Sequence, residues 1–248
     1  MTLKESGPGG DPRVVDRWED GVGWIAHPDE TMRRASHALA VDGEVWLVDP
    51  VDAADVETVY ADLGEVVGVV VGLDRHTRDA AAFARRHDVP VYVPRWMKRA
   101  APDGVPVEHF DDYLPGTGYR AIPVVDQPVW KEVALYDGPE APAPTLDPDP
   151  EARAGPTGDG EGSTLVVPES VGTSSYFLAD GERLGVHPAR RALPPRSTLG
   201  DLAPDRVLVG HGEGVSEDAT GALRSALRGA RRRMPGLYAK TLREFLPV

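Results

Sequence analysis

Apolar positions along this chain change period repeatedly, and the changes mark its elements. Ala38 to Val41 and Glu44 to Val48 are apolar-rich runs on either side of Asp42-Gly43. Asp-Gly between two such runs predicts a hairpin, because both central residues of the favoured turn need positive φ. From Asp52 to Leu63 the period lengthens: Ala53, Val56, Val59, Tyr60 and Leu63 share one helical face, with Asp52 as N-cap and Gly64 as stop. Val66 to Leu73 is continuously apolar, as expected of a strand covered on both faces. Thr77 to His87 reads as a helix with Ala80, Phe83 and Ala84 inward, and Val89 to Val93 as a further strand. This alternation implies βαβ units.

The second half reads mostly as strand. Tyr119 to Val125 and Val129 to Tyr136 flank a turn at Gln127-Pro128, and Thr164 to Val167 follows. Tyr176 to Ala179 and Arg183 to Val186 flank Asp180-Gly181, a second predicted hairpin. Arg206 to Val209 runs into Gly210-His211-Gly212, and two helices, Glu217 to Arg233 and Leu237 to Phe245, are predicted around Pro235-Gly236. The fold class is α/β, with two sheets packed together and helices outside. Residues 1–20 are expected to be a flexible N-terminal segment, and residues 21–248 a single domain. Within it, residues 138–162 are rich in Pro, Gly, Asp and Glu without apolar periodicity, the composition of a disordered acidic insertion.

Composition narrows the function. The 248 residues contain no cysteine, which excludes disulfides, thiolate zinc sites and cysteine nucleophiles and fits a reducing cytoplasm. The net charge of −13 disfavours nucleic acid and anionic membranes, since phosphate binding needs a concentrated basic surface. No apolar run reaches membrane-spanning length, and the polar N-terminus has no secretory pattern. Of the 27 basic residues only 4 are Lys, which with the acidity suggests a salt-adapted source. A small-molecule substrate or ligand is the expected partner, and the oligomeric state is open.

Three segments carry candidate chemistry. Leu73-Asp74-Arg75-His76-Thr77-Arg78-Asp79 follows a buried strand and opens a helix, the strand end at which α/β folds place ligands. Asp74, His76 and Asp79 there are possible metal ligands, although one His in a charged loop also describes an ordinary surface turn. Gly210-His211-Gly212 presents an imidazole at a strand end with little steric cover. Glu169, just past Val166-Val167-Pro168, has the position of a ligand or a base, and equally that of a solvent-facing turn.

Together the segments LVDP, LDRHTRDA, VVPES and VLVGHGE resemble the metallo-β-lactamase superfamily over roughly residues 21–248. That resemblance implies an αββα four-layer sandwich with a metal site on the edge between the sheets. The family's H-x-H-x-D-H motif falls on Asp74, His76, Arg78 and Asp79, of which only His76 is identical. The next His falls near Asp126, the bridging Asp on Glu169 and the last His on His211. The resemblance thus assigns Asp74, His76, Asp79, Asp126, Glu169 and His211 to metal, with Asp79 and Glu169 as the catalytic carboxylates. Such a carboxylate-rich set would take one divalent ion, Zn, Mn or Fe, or none. Arg78 stands against a second ion, because a guanidinium stays charged and does not coordinate. Two readings follow. One is a metal-dependent hydrolase of an ester, thioester or phosphodiester. The other is a non-catalytic binding or regulatory protein in which Arg78 replaces a metal and neutralises Glu169 or Asp79.

Overall fold

The structure, a computed structural model, describes residues 2–75, 77–139 and 162–245. Seven strands form the first sheet in chain order: β1 (Arg13–Trp18), β2 (Gly21–Ile25), β3 (Ala35–Val41), β4 (Glu44–Val48), β5 (Glu65–Val70), β6 (Val91–Pro94) and β7 (Val107–Phe110). β1 to β4 are antiparallel neighbours, and β4 to β7 pair in parallel. Next come β8 (Arg120–Gln127), β9 (Trp130–Asp137), β10 (Thr164–Val167), a short ribbon of β11 (Val171–Gly172) and β12 (Gly185–Val186), and β13 (Arg206–Val209). The second sheet has the order β13-β10-β9-β8, with β10 and β13 parallel. The helices are α1 (Glu57–Tyr60), α2 (Ala80–His87), α3 (Arg196–Leu199) and α4 (Ala219–Phe245).

Period-two alternation sorts the second sheet between two cores. Val133, Leu135, Val166 and Leu208 join the core shared with the first sheet. Their neighbours Ala134, Tyr136, Leu165, Val167, Val207 and Val209 face the other way, against Leu223, Ala226 and Leu227 of α4. Ala80, Phe83 and Ala84 of α2 bury against the first sheet. The layers are therefore helix, sheet, sheet, helix. Among the described residues no helix is long and apolar enough to cross a membrane.

Several elements depart from expectation. Residues 13–18, expected within a flexible segment, form edge strand β1, held to β2 from Arg13↔Ile25 to Trp18↔Gly21. The helix expected from Asp52 starts only at Glu57, because Asp55 has a left-handed φ of 49° that no α-helix accommodates. Likewise Arg78, at φ 48°, delays α2 to Ala80. The hairpin at Asp42-Gly43 forms as predicted, with φ 51° and 82°. The one at Asp180-Gly181 does not: Phe177 turns inward, its N–H donating to Ser174 O at 2.9 Å, and β12 pairs with β11 instead. The two expected C-terminal helices are one, which continues through Pro235 to bury Leu237. Of the predicted acidic insertion, residues 140–161 lie outside the described residues, as does His76.

Candidate functional site

Strand ends of both sheets meet along one rim and are stitched by backbone hydrogen bonds. Ala35 N–H donates to Gly210 O at 3.0 Å and Gly212 N–H to Arg33 O at 2.8 Å, tying the end of β13 to the start of β3. Val133 N–H donates to Gly72 O and Asp74 N–H to Lys131 O, both at 3.0 Å, tying the loop after β5 to the start of β9. Gly210 packs so tightly on the Pro168 carbonyl that a Cβ would fall 2.1 Å from that oxygen, so only glycine fits. Arg33, Asp49 and Arg78 all take left-handed φ here, which costs each non-glycine residue about 1–2 kcal/mol and must be offset by its contacts.

Arg78 shows how. Nη1 donates to Ala35 O at 2.5 Å and to Asp49 O at 2.8 Å, and Nη2 donates to Gly210 O at 2.9 Å. One guanidinium thus braces the entry of β3 and the exits of β4 and β13, from both sheets. Burial works against its charge, and the nearby Asp49 carboxylate works for it. Asp49 itself, 4% exposed, accepts from Gly72 N–H at 3.0 Å, and burial pushes its pKa up. The expected fork of Arg78 onto Glu169 or Asp79 is thereby corrected: its donors go to carbonyl oxygens.

Glu169 has a different cation. It is 3% exposed and pairs with Arg75 through Oε2. Burial raises its pKa, and Arg75 counters that. Its backbone N–H donates to Glu132 Oε1 at 2.8 Å. Glu132 is fully buried on β9, and the same oxygen accepts from Ser170 N–H at 2.7 Å. Oε2 accepts from the Ser170 hydroxyl at 2.6 Å and from Trp130 Nε1–H at 3.2 Å. With only neutral donors against complete desolvation, its pKa is pushed up to about 7. His187 Nδ1 accepts from Ala189 N–H at 3.2 Å, which leaves the ring proton on Nε2, 3.8 Å from Glu169 Oε1. Burial, then Arg75 and Arg190, lower its pKa to about 4, so this contact joins a neutral imidazole and a carboxylate.

The other expected ligands go elsewhere. Asp74 Oδ1 accepts from Lys131 N–H at 2.7 Å, at the start of β9, and Oδ2 accepts from Arg99 Nη2 at 3.0 Å. Asp79 Oδ2 accepts from Asp52 N–H at 2.8 Å, on the loop before α1. Asp126 lies on β8, its side chain 60% exposed and paired with Lys131. His211 is at the rim, 4% exposed, with Nδ1 on Met32 O at 3.1 Å and its ring stacked on Phe177 at 5.3 Å. Phe177 in turn meets His187 at 5.3 Å. Thus Glu169 and His211 belong to one rim, bridged by His187 and Phe177, while Asp74, Asp79 and Asp126 are engaged with other partners.

This architecture has known counterparts. The chain superposes on the DIM-1 metallo-β-lactamase with a TM-score of 0.50 at 12% identity, covering 89% of this chain and 98% of that one. It superposes on the peroxy diiron species of the chemotaxis sensor ODP with a TM-score of 0.53 at 14% identity, covering 93% and 99%. The fold is that of the metallo-β-lactamases. At these identities the likeness extends to the fold alone. No family model matches the sequence, and no curated protein is significantly similar to it.

Metals are implied by the names of those metallo-β-lactamase-fold counterparts, so the residues of this rim are tested against one. They do not fit. Among the described residues no three His, Asp or Glu side chains converge on a point that would hold an ion. A cationic fork occupies the junction of the strand ends, and the Glu169 carboxylate is already neutralised by Arg75. An ion placed there would meet two guanidiniums at close range.

Two side chains of the rim escape a sequence reading: Arg75 and Glu132. Only Glu132 had a usable signal. It shares the parity of Trp130, Ala134 and Tyr136, the apolar face of β9, and a Glu there needs buried donors. Arg75 and Glu169 lie 94 positions apart, and nothing local to either announces the other.

Proposed function

We propose that this chain is a metal-independent binding protein built on the metallo-β-lactamase fold, with a small molecule as its partner. The observation that carries the reading is the Arg78 brace. Its hydrogen bonds to Ala35 O, Asp49 O and Gly210 O hold together strand ends of both sheets, a task that a bound ion would perform through side chains. A guanidinium held by three carbonyls keeps its charge and geometry without a cofactor. The competing reading, a metal-dependent hydrolase, draws its support from the metal-bearing proteins that share the fold. Dialysis of purified protein against trace Zn, Mn and Fe, followed by elemental analysis and melting with and without chelator, separates the two. The binding-protein reading predicts substoichiometric metal and a melting temperature indifferent to chelator. An equivalent of metal that is retained, raises the melting temperature and is lost in the His76→Ala, His211→Ala double variant would overturn the metal-independent reading in favour of the other.

A further inference from the structure

Trp130 opens β9 and is 6% exposed, with a guanidinium at each of two places around its ring. Arg75 Cζ is 4.2 Å from the ring centroid and Arg190 Cζ is 5.9 Å from it. The ring face attracts both cations, but they repel each other. His187 meets the same indole edge-on at 4.9 Å, and Tyr176 lies 5.7 Å from His187.

The two cations are partnered unequally. Arg75 is paired with Glu169 and Arg78 with carbonyl oxygens. Arg190 meets no carboxylate among the described residues, and its Nε is buried without a hydrogen bond. His187 is held neutral and presents Nε2–H rather than an acceptor. A chain with net charge −13 therefore gathers two guanidiniums around one tryptophan, against the paired Glu169 and the buried Glu132 on its indole N–H, and one of the two carries a buried donor lacking an acceptor.

We propose that this Trp130 face is a binding site for a small oxyanion, the carboxylate or phosphate group of an organic ligand. Arg190 holds the oxyanion and Arg75 is the second cation beside it. A planar fork of N–H donors matches two oxygens of such a group, and it acts best where neighbouring rings exclude water. The buried Trp130 and His187 supply that wall, and the half-buried Tyr176 a surface for the apolar remainder of the ligand. The inference rests on the preceding reading, in that the same rim works without a metal, and it names the class of molecule bound.

The test uses full-length protein stripped of metal, its metal content measured on the same sample. Inorganic phosphate and, separately, acetate are titrated while tryptophan fluorescence and melting temperature are followed, for wild type and Arg190→Gln. Saturable binding of phosphate, of acetate or of both is expected, and the anion that binds tighter identifies the group. Arg190→Gln weakens it by about tenfold or more, the size of one lost charge-assisted hydrogen bond, while the ligand-free melting temperature stays unchanged. Binding of neither anion, or equal binding by wild type and variant, overturns the oxyanion site and leaves the metal-independent reading standing. Binding that appears only when a stoichiometric metal is restored overturns both.

Discussion

Arg78 donates to three backbone carbonyls, whereas Arg190, at the Trp130 end of the same rim, donates from its side chain to no described residue. Both are arginines at this rim, Arg190 in the 3-10 turn Pro188–Arg190, yet they do opposite things. Where the fork finds three carbonyl acceptors, the guanidinium acts as a structural cross-link and closes the site to a cation. Where the fork lacks acceptors, the same chemistry leaves a place for an anion. Arg75 is intermediate: it neutralises a buried carboxylate and also lies over an indole. Residue type at the rim thus says less than the count of acceptors around each side chain.

Variants at four positions break or sharpen this contrast. The largest effect is expected at Arg78. Arg78→Ala strands three carbonyls and removes the tie between sheets, so urea denaturation should show a loss of about 3–5 kcal/mol. Arg78→Lys should recover only part of it, because an ammonium cannot span the three carbonyls as a fork does. A loss under about 1 kcal/mol for Arg78→Ala, the usual range of an exposed substitution, would mean that the brace bears little of the fold.

Next is Arg75→Gln, which leaves Glu169 buried without its cation. A loss of about 1–3 kcal/mol at neutral pH is expected, shrinking as the pH is lowered and Glu169 takes up a proton. A loss independent of pH would show that Arg75 acts by packing on Trp130 and not by charge.

Glu132 tests the pH dependence. Its carboxyl titrates near 7 in the fold and near 4.5 when unfolded, so between these values the folded state binds the extra proton. Its contribution to stability is present below pH 4.5 and declines as pH rises towards 7. Glu132→Gln removes that slope, so the variant should gain on wild type across this interval when both are followed by chemical denaturation. Parallel profiles would place the titration elsewhere.

The smallest effect belongs to Arg190→Gln. Having no acceptor to lose, it should change stability by less than about 0.5 kcal/mol. A larger loss would show that Arg190 is a structural partner like Arg78, and the contrast between them would dissolve.

Much of the fold was legible in local patterns. The Asp42-Gly43 turn and the apolar run ending in Leu73 each depend on residues within one element, and both lead where the sequence indicates. The predicted starts of α1 and α2 fall several residues too early, because left-handed Asp55 and Arg78 leave no mark in a hydrophobic pattern. The candidate site was less legible. His211 and Glu169 could be placed at the rim because each follows an apolar strand directly. Asp74 and Asp79 also follow or open elements, but their oxygens are taken by Lys131 N–H, Arg99 and Asp52 N–H, partners 25 to 57 positions away. Which acceptor a charged loop residue finds is decided by tertiary approach, and spacing along the chain does not encode it.

The central claim is that Arg78 occupies the junction of the strand ends on its own account. Anomalous diffraction from crystals grown with Mn or Zn in excess tests it directly. The account predicts no anomalous peak at the rim, with Arg78 on the carbonyls of Ala35, Asp49 and Gly210. A peak ligated by His76, His211 and Glu169, with the Arg78 fork displaced, would contradict it.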